Sequence, residues 1–214
     1  MIEVIPAIIS KSFEELKEKV KLVEPYVEWT QLDVMDGIFV DNTTWPYRAG
    51  KNNPSDLKNL KTSLKLEVHL MVNKPEEVID DWIKSGVQRI IFHYKATDKH
   101  GEIIEKIKEA GLEVGLALNP ETSLEVVDQF IDNLDLILIM TVNPGWGGQE
   151  FLEEQLGKIK QLRNKYQDVK IEVDGGVSLE TVPKIIKTGA NFLAVGSAIF
   201  KSNNIKETIW KLKN

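Results

Sequence analysis

Short apolar runs alternate with amphipathic segments along nearly the whole chain, a rhythm that predicts strand and helix in turn. Residues 2–9 (IEVIPAII) read as a strand. Phe13, Leu16, Val20 and Val23 at helical spacing predict a helix over 13–23, opened by Ser12 and Glu15 as a capping box. A second strand over 29–34 runs into IFVDNTTWPYRAGKNNPSDL, rich in Asn, Pro, Gly and Trp and too long for a passive turn. A short helix near 54–61 and a strand over 65–71 follow, and Asn73, Pro75 and Glu76 open the next helix. Further strands are predicted at 88–94, 113–118, 135–142, 170–176 and 191–200. Between and after them come helices over 101–110, after Thr122 and Glu125, around Leu152, Leu156 and Ile159, around Ile185 and Ile186, and over 204–212.

Eight near-continuously apolar strands alternating with eight helices predict a parallel sheet covered on both faces. Eight βα units close a barrel, so the expectation is an α/β protein forming a single (β/α)8 TIM barrel over residues 1–214. An open doubly wound sheet is the alternative, but it usually carries a Gly-rich loop after its first strand, and PAIISKS has no Gly.

Polar residues at the ends of these strands change the picture from scaffold to chemistry. Asp33 alternates with Leu32 and Val34 and therefore points to the opposite face, the interior of a closed barrel. A carboxylate there is costly unless paired, hydrogen-bonded or metal-bound. His69 near the end of strand three and Asp174 at the end of strand seven meet it at the C-terminal mouth, where barrels of this kind place their catalytic groups. The three read as a metal site flanked by proton-transfer carboxylates, against a hydrogen-bonded polar plug. Met35, Met71 and Met140 stand at three such ends, as core packing or as a polarizable floor under a substrate. His93 and His100 read as core histidines, and Asp36 as a turn residue bonding backbone N–H groups. Gly145, Gly147 and Gly148 after strand six, Gly175 and Gly176 after strand seven, and Gly196 with Ser197 in strand eight make tight turns singly. Together they read as a phosphate cradle, with Ser10 joining the candidate substrate-binding set.

With 214 residues and no linker-like stretch, one domain is expected. A net charge of −6 argues against a nucleic-acid or anionic-membrane partner. No Cys excludes disulfides and thiolate chemistry. The start, MIEVIPAIIS, lacks a basic leader and no apolar run approaches spanning length, so a cytoplasmic location is expected. The oligomeric state stays open, a homo-oligomer included.

DVMDG, EVHLM, GLALNP, MTVNPGWGGQ, EVDGG and GSAIF, in this order and at these spacings, resemble ribulose-phosphate 3-epimerase over nearly the whole chain. The resemblance implies an isomerase that interconverts D-ribulose 5-phosphate and D-xylulose 5-phosphate, a phosphorylated ketose being its partner. It implies a divalent metal (zinc, iron, manganese or cobalt) held by His-x-Asp on strand two, a His on strand three and the Asp of strand seven. Asp33, His69 and Asp174 match, and Gln31 stands where the first His belongs. Asp33 and Asp174 would move the C3 proton on opposite faces of a metal-stabilised enediolate. Inversion needs two carboxylates because the proton leaves one side and returns on the other.

Further departures are Ala7 for a Ser, Ile38 and Asp41 in DGIFVDN for DGHFVPN, and Lys95 for a Glu. An amide oxygen is a weaker ligand than imidazole for zinc-type ions, so metal held loosely or a harder ion is expected. The alternatives are a 3-epimerase of a related ketose phosphate such as allulose 6-phosphate, and a phosphosugar-binding barrel with weakened catalysis. Decarboxylase and aldolase relatives of the barrel are disfavoured because DVMDG carries no Lys.

Overall fold

The apolar runs pair in sequence order as parallel strands: β1 Glu3–Ile8, β2 Trp29–Met35, β3 Lys65–Met71, β4 Arg89–His93, β5 Glu113–Leu118, β6 Leu136–Met140, β7 Lys170–Asp174 and β8 Phe192–Val195. β8 pairs back onto β1, with Glu3 opposite Phe192, and closes the eight-stranded barrel. These are features of a computed structural model that describes residues 2–48 and 53–214; residues 49–52 of the long β2–β3 segment lie outside it. Among the described residues no helix is long and apolar enough to cross a membrane.

The connections are less uniform than the predicted alternation. Helices α1 Phe13–Val23, α2 Ile79–Ile83, α3 His100–Glu109, α4 Gln155–Lys165 and α5 Val182–Lys187 follow β1, β3, β4, β6 and β7. β2 leads instead to a 3₁₀ stretch, Pro54–Asn59, and β5 to two, Leu124–Gln129 and Ile131–Asn133. The stretch after β5 is capped by Ser123, whose side chain accepts the Glu125 N–H, not by Thr122. Its sequence, LEVVDQFIDN, places β-branched and aromatic residues with Asp and Asn where an α-helix gains least. The apolar run 191–200 is likewise not one strand. β8 stops at Val195, and Gly196 and Ser197 lead into a short helix, α6 Ser197–Phe200, before α7 Ile205–Lys213. An unbroken apolar run has no period of its own by which strand and helix can be told apart. The Ser12 cap of α1 accepts the Glu15 N–H at 3.2 Å, while the Glu15 carboxylate takes the Lys11 N–H rather than that of Ser12.

Outward-facing strand residues, Leu32, Val34, Val68 and Leu70 among them, pack under the helices in one large apolar cluster. Inside the barrel the layers differ. At the N-terminal end Arg89 lies 4.2 Å from the Trp29 ring and 5.5 Å from that of Phe192. It donates to Glu67 and Glu113, with Glu172 at 3.9 Å. Burial and neighbouring charge push the Glu172 carboxyl well above the usual range, and burial raises Glu67 too. This charged plug closes the barrel bottom.

At the other end the loops are tied to one another. Asp36 Oδ1 accepts the Ile38 and Phe39 N–H groups, the turn role expected of it, and Oδ2 accepts the Asn73 N–H at 2.7 Å, joining the exits of β2 and β3. The Asn42 side chain donates to the Gly145 carbonyl at 2.9 Å, which brings the β2 exit against the β6 loop. Trp45, its ring buried beside Phe13 and Trp82, donates its backbone N–H to the Ser10 carbonyl.

Candidate active site

Asp33 and His69 are register partners on β2 and β3, and Asp174 ends β7 across the barrel. All three aim inward because period two turns them from the apolar residues beside them. His69 Nδ1 lies 3.4 Å from Asp33 Oδ1 and 3.2 Å from Asp174 Oδ2. The three residues each offer a donor atom within 4.8 Å of the other two.

Gln31 joins them from the same face of β2. Its amide nitrogen donates to Asp33 Oδ1 at 2.8 Å and to Asp174 Oδ2 at 3.0 Å. A ligand would turn its oxygen to that point; here Oε1 is buried without a partner on the other side, and half a turn about the last torsion exchanges the two ends. His69 Nδ1 is also buried without a hydrogen bond although two carboxylates face it. A nitrogen aimed between two carboxylate oxygens fits a cation, and the donor set of one imidazole and two carboxylates suits a divalent metal.

His93 is more than core packing. Its Nε2 is 2.8 Å from His69 Nε2, and its Nδ1 is 2.6 Å from Asn119 Oδ1. An amide oxygen only accepts, so His93 Nδ1 carries the hydrogen and its bare Nε2 accepts from His69 Nε2–H. That bond leaves Nδ1 as the atom His69 presents to the carboxylates. Burial, reinforced by the charge on His69, holds His93 well below its usual pKa and therefore neutral. Burial would lower His69 as well, but the Asp174 and Asp33 carboxylates facing its Nδ1 outweigh it and hold its pKa up at about 9. Burial, with the Asp174 charge beside it, raises Asp33. His100, by contrast, stacks on Tyr94 and bonds the Tyr94 carbonyl, as a core histidine.

Above this cluster opens a cavity of about 450 Å³, with Asp33 and Asp174 in its wall. Met35, Met71 and Met140 line it, as do Gly145, Gly147, Gly148, Gly175, Gly176, Gly196 and Ser197. Ser10 does not: it is buried behind the wall, and Ala7 and Ile9 face the cavity in its stead. Sequence reasoning missed the lysines of the rim, Lys11, Lys19 and Lys201, together with Glu15 and Trp146. Surface helix and loop positions of this kind carry no signal until the fold brings them to the mouth.

The glycines differ in what they do. Gly176 sits at φ +64, and a Cβ there would come within 2.7 Å of the Phe151 backbone, whereas a Cβ on Gly147 would meet only the tip of Ile9 at 3.1 Å. Gly176→Ala is therefore expected to cost about 1–3 kcal/mol and lower Tm by several degrees in a thermal melt, with Gly147→Ala close to wild type. Equal melting of the two would show that the Gly176 turn is not sterically required.

A family model described as the ribulose-phosphate 3 epimerase family matches residues 3–200. The chain is 40% identical over 215 residues to the ribulose-phosphate 3-epimerase of Schizosaccharomyces pombe, covering 99% of this chain and 92% of that one. It is 39% identical over 220 residues to the enzyme of the same name from Bacillus subtilis, covering 100% and 99%. Among solved structures, the 3-hexulose-6-phosphate synthase of Salmonella typhimurium superposes with a TM-score of 0.74 at 16% identity, covering 99% of this chain and 96% of that one, a likeness of fold.

Proposed function

The chain belongs to the ribulose-phosphate 3-epimerase family and is an isomerase of that type, and on that premise we propose how its residues invert C3 of a pentulose 5-phosphate. One carboxylate of the Asp33–Asp174 pair takes the C3 proton, and the other returns a proton to the opposite face, interconverting D-ribulose 5-phosphate and D-xylulose 5-phosphate. The observation that carries this reading is the convergence of two carboxylates, from β2 and β7, on one imidazole nitrogen at the floor of a cavity.

The C3 hydrogen lies next to the C2 ketone and is weakly acidic, so a positioned base is needed to remove it. Gln31 holds the two carboxylates in place by donating to both, and the chain Asn119–His93–His69 fixes the imidazole between them. The raised proton affinity of Asp33 suits a group that must hold a proton for part of the cycle. Asp33, His69 and Asp174 would hold a divalent cation, which when bound supplies positive charge against that developing on the C2 and C3 oxygens. The three methionines form the floor beneath the sugar carbons, and the glycine turns with Ser197 receive the phosphate on backbone N–H groups.

Conversion of ribulose 5-phosphate by the purified protein, with and without added divalent metals, tests the reading. Deuterium appearing at C3 from solvent, followed by NMR, isolates the proton step; no conversion under any metal condition would overturn it. Gln31→His replaces an amide with imidazole beside the carboxylates and is expected to tighten zinc binding by roughly tenfold or more, measured by competition with a chelator. Unchanged affinity would place Gln31 outside the coordination sphere.

A further inference from the structure

The cavity presents an electrostatic difficulty to a phosphorylated sugar. Three carboxylates, Asp33, Asp174 and Glu15, stand in its wall, and the whole chain carries a net charge of −6. A dianionic phosphate entering that field needs more than the partial charges of backbone N–H groups. The rim lysines are not equivalent in their ability to supply it. Lys19 is committed, its ammonium donating to Glu15 at 2.7 Å and to the Ile9 carbonyl at 2.6 Å. Lys201, like Lys11, is uncommitted, and of the two it is Lys201 that stands beside a glycine turn. It is exposed at the end of α6, lines the cavity, and takes no part in the ion pairs formed among the described residues.

Its position is defined by Gly148. A Cβ on that glycine would lie 3.4 Å from Lys201 Nζ and 3.9 Å from Ser197 Oγ. An ammonium, a hydroxyl and the open face of a glycine turn at φ +79 thus meet at one point of the wall. Three kinds of donor converge there, and only the lysine brings a full charge.

We propose that Lys201 is a phosphate-binding residue of this chain, its ammonium pairing with the phosphate seated on Gly148 and Ser197 and giving the cavity its preference for a dianionic ester. This rests on the glycine-turn phosphate site proposed above and adds to it a charged contact that the glycine pattern did not contain. A charge-assisted hydrogen bond is worth roughly twice a neutral one, so its removal falls on binding. The phosphate is remote from C3 and is held alike before and during proton transfer, so the loss appears in KM more than in kcat.

The test uses Lys201→Met and Lys201→Arg, with two readouts: KM for ribulose 5-phosphate and competitive inhibition by inorganic phosphate, each at low and high salt. Lys201→Met is expected to weaken both by roughly tenfold or more, with Tm unchanged because the side chain is exposed, while Lys201→Arg stays near wild type. The salt dependence of KM should also be shallower in Lys201→Met, since one screened ion pair is gone. If wild type competes with inorganic phosphate and Lys201→Met does so equally well, Lys201 is not a ligand and the glycine site stands without it. If inorganic phosphate at high concentration fails to compete in wild type, the glycine site itself falls and Lys201 with it. A variant that loses kcat at unchanged KM also overturns the assignment.

Discussion

Asp174→Asn and Asp33→Asn are each expected to stop interconversion of the C3 epimers, a loss on the order of 10²- to 10⁴-fold. The substitution keeps the shape of the side chain and its place against His69, while removing the carboxylate proposed to carry the proton. Because the two carboxylates come from different strands, β2 and β7, and are proposed to serve opposite faces of C3, the variants carry a finer signature. With one carboxylate left, deuterium from solvent can enter C3 only in the epimer whose C3–H faces that carboxylate, and it enters without inversion. An NMR time course on each pentulose phosphate separates exchange from inversion. Interconversion at the wild-type rate in Asp33→Asn would show that the second proton carrier has been misassigned.

The largest effect on stability is expected at Arg89. Its guanidinium is buried between two aromatic rings with Glu67, Glu172 and Glu113 around it. Arg89→Met preserves much of the volume but leaves buried carboxylates without their cation, a change that costs about 3–5 kcal/mol in comparable sites. Denaturant unfolding should show the midpoint falling accordingly, whereas Lys170→Ala, at a half-exposed partner of Glu113, should change it little. The pH dependence has a definite sign. Glu67 and Glu172 already hold protons more tightly in the folded state than in the unfolded chain, and loss of Arg89 increases that difference. The folded variant then binds more protons than the unfolded one above the ordinary glutamate range, so its deficit should grow as pH rises and ease as pH falls. A pH-independent loss would indicate that packing around the arginine, rather than charge, carries the effect.

Much of this protein is legible along the chain. The period-two placement of Asp33 between Leu32 and Val34, and the apolar runs that end in His69, Asp174 and the glycine turns, follow from local sterics and from the cost of leaving apolar residues in water. Neighbouring residues are enough to express them. The closed barrel follows as well, because eight parallel strands covered on both faces have few other ways to close. What local pattern could not decide is where an apolar run changes from strand to helix, as at Gly196, or whether a β-branched stretch after β5 would wind as α or 3₁₀.

The site beyond its carboxylates is a tertiary matter. Gln31 and Asp174 are 143 positions apart, yet their hydrogen bond sets which end of the amide meets the metal-type donors. His93 becomes a partner of His69 only because β3 and β4 pair side by side, and Asn119 then decides which ring nitrogen carries the hydrogen. Arg89, an unremarked residue at the start of a strand, becomes the centre of the barrel plug. Lys201 comes beside the Gly148 turn because α6 places it there. Sequence by itself determined the residues that local geometry orients, those at the ends of strands. Closure of the barrel decided the partnerships, since hydrogen bonds and charge pairs act over a few ångströms of space and have no counterpart in separation along the chain.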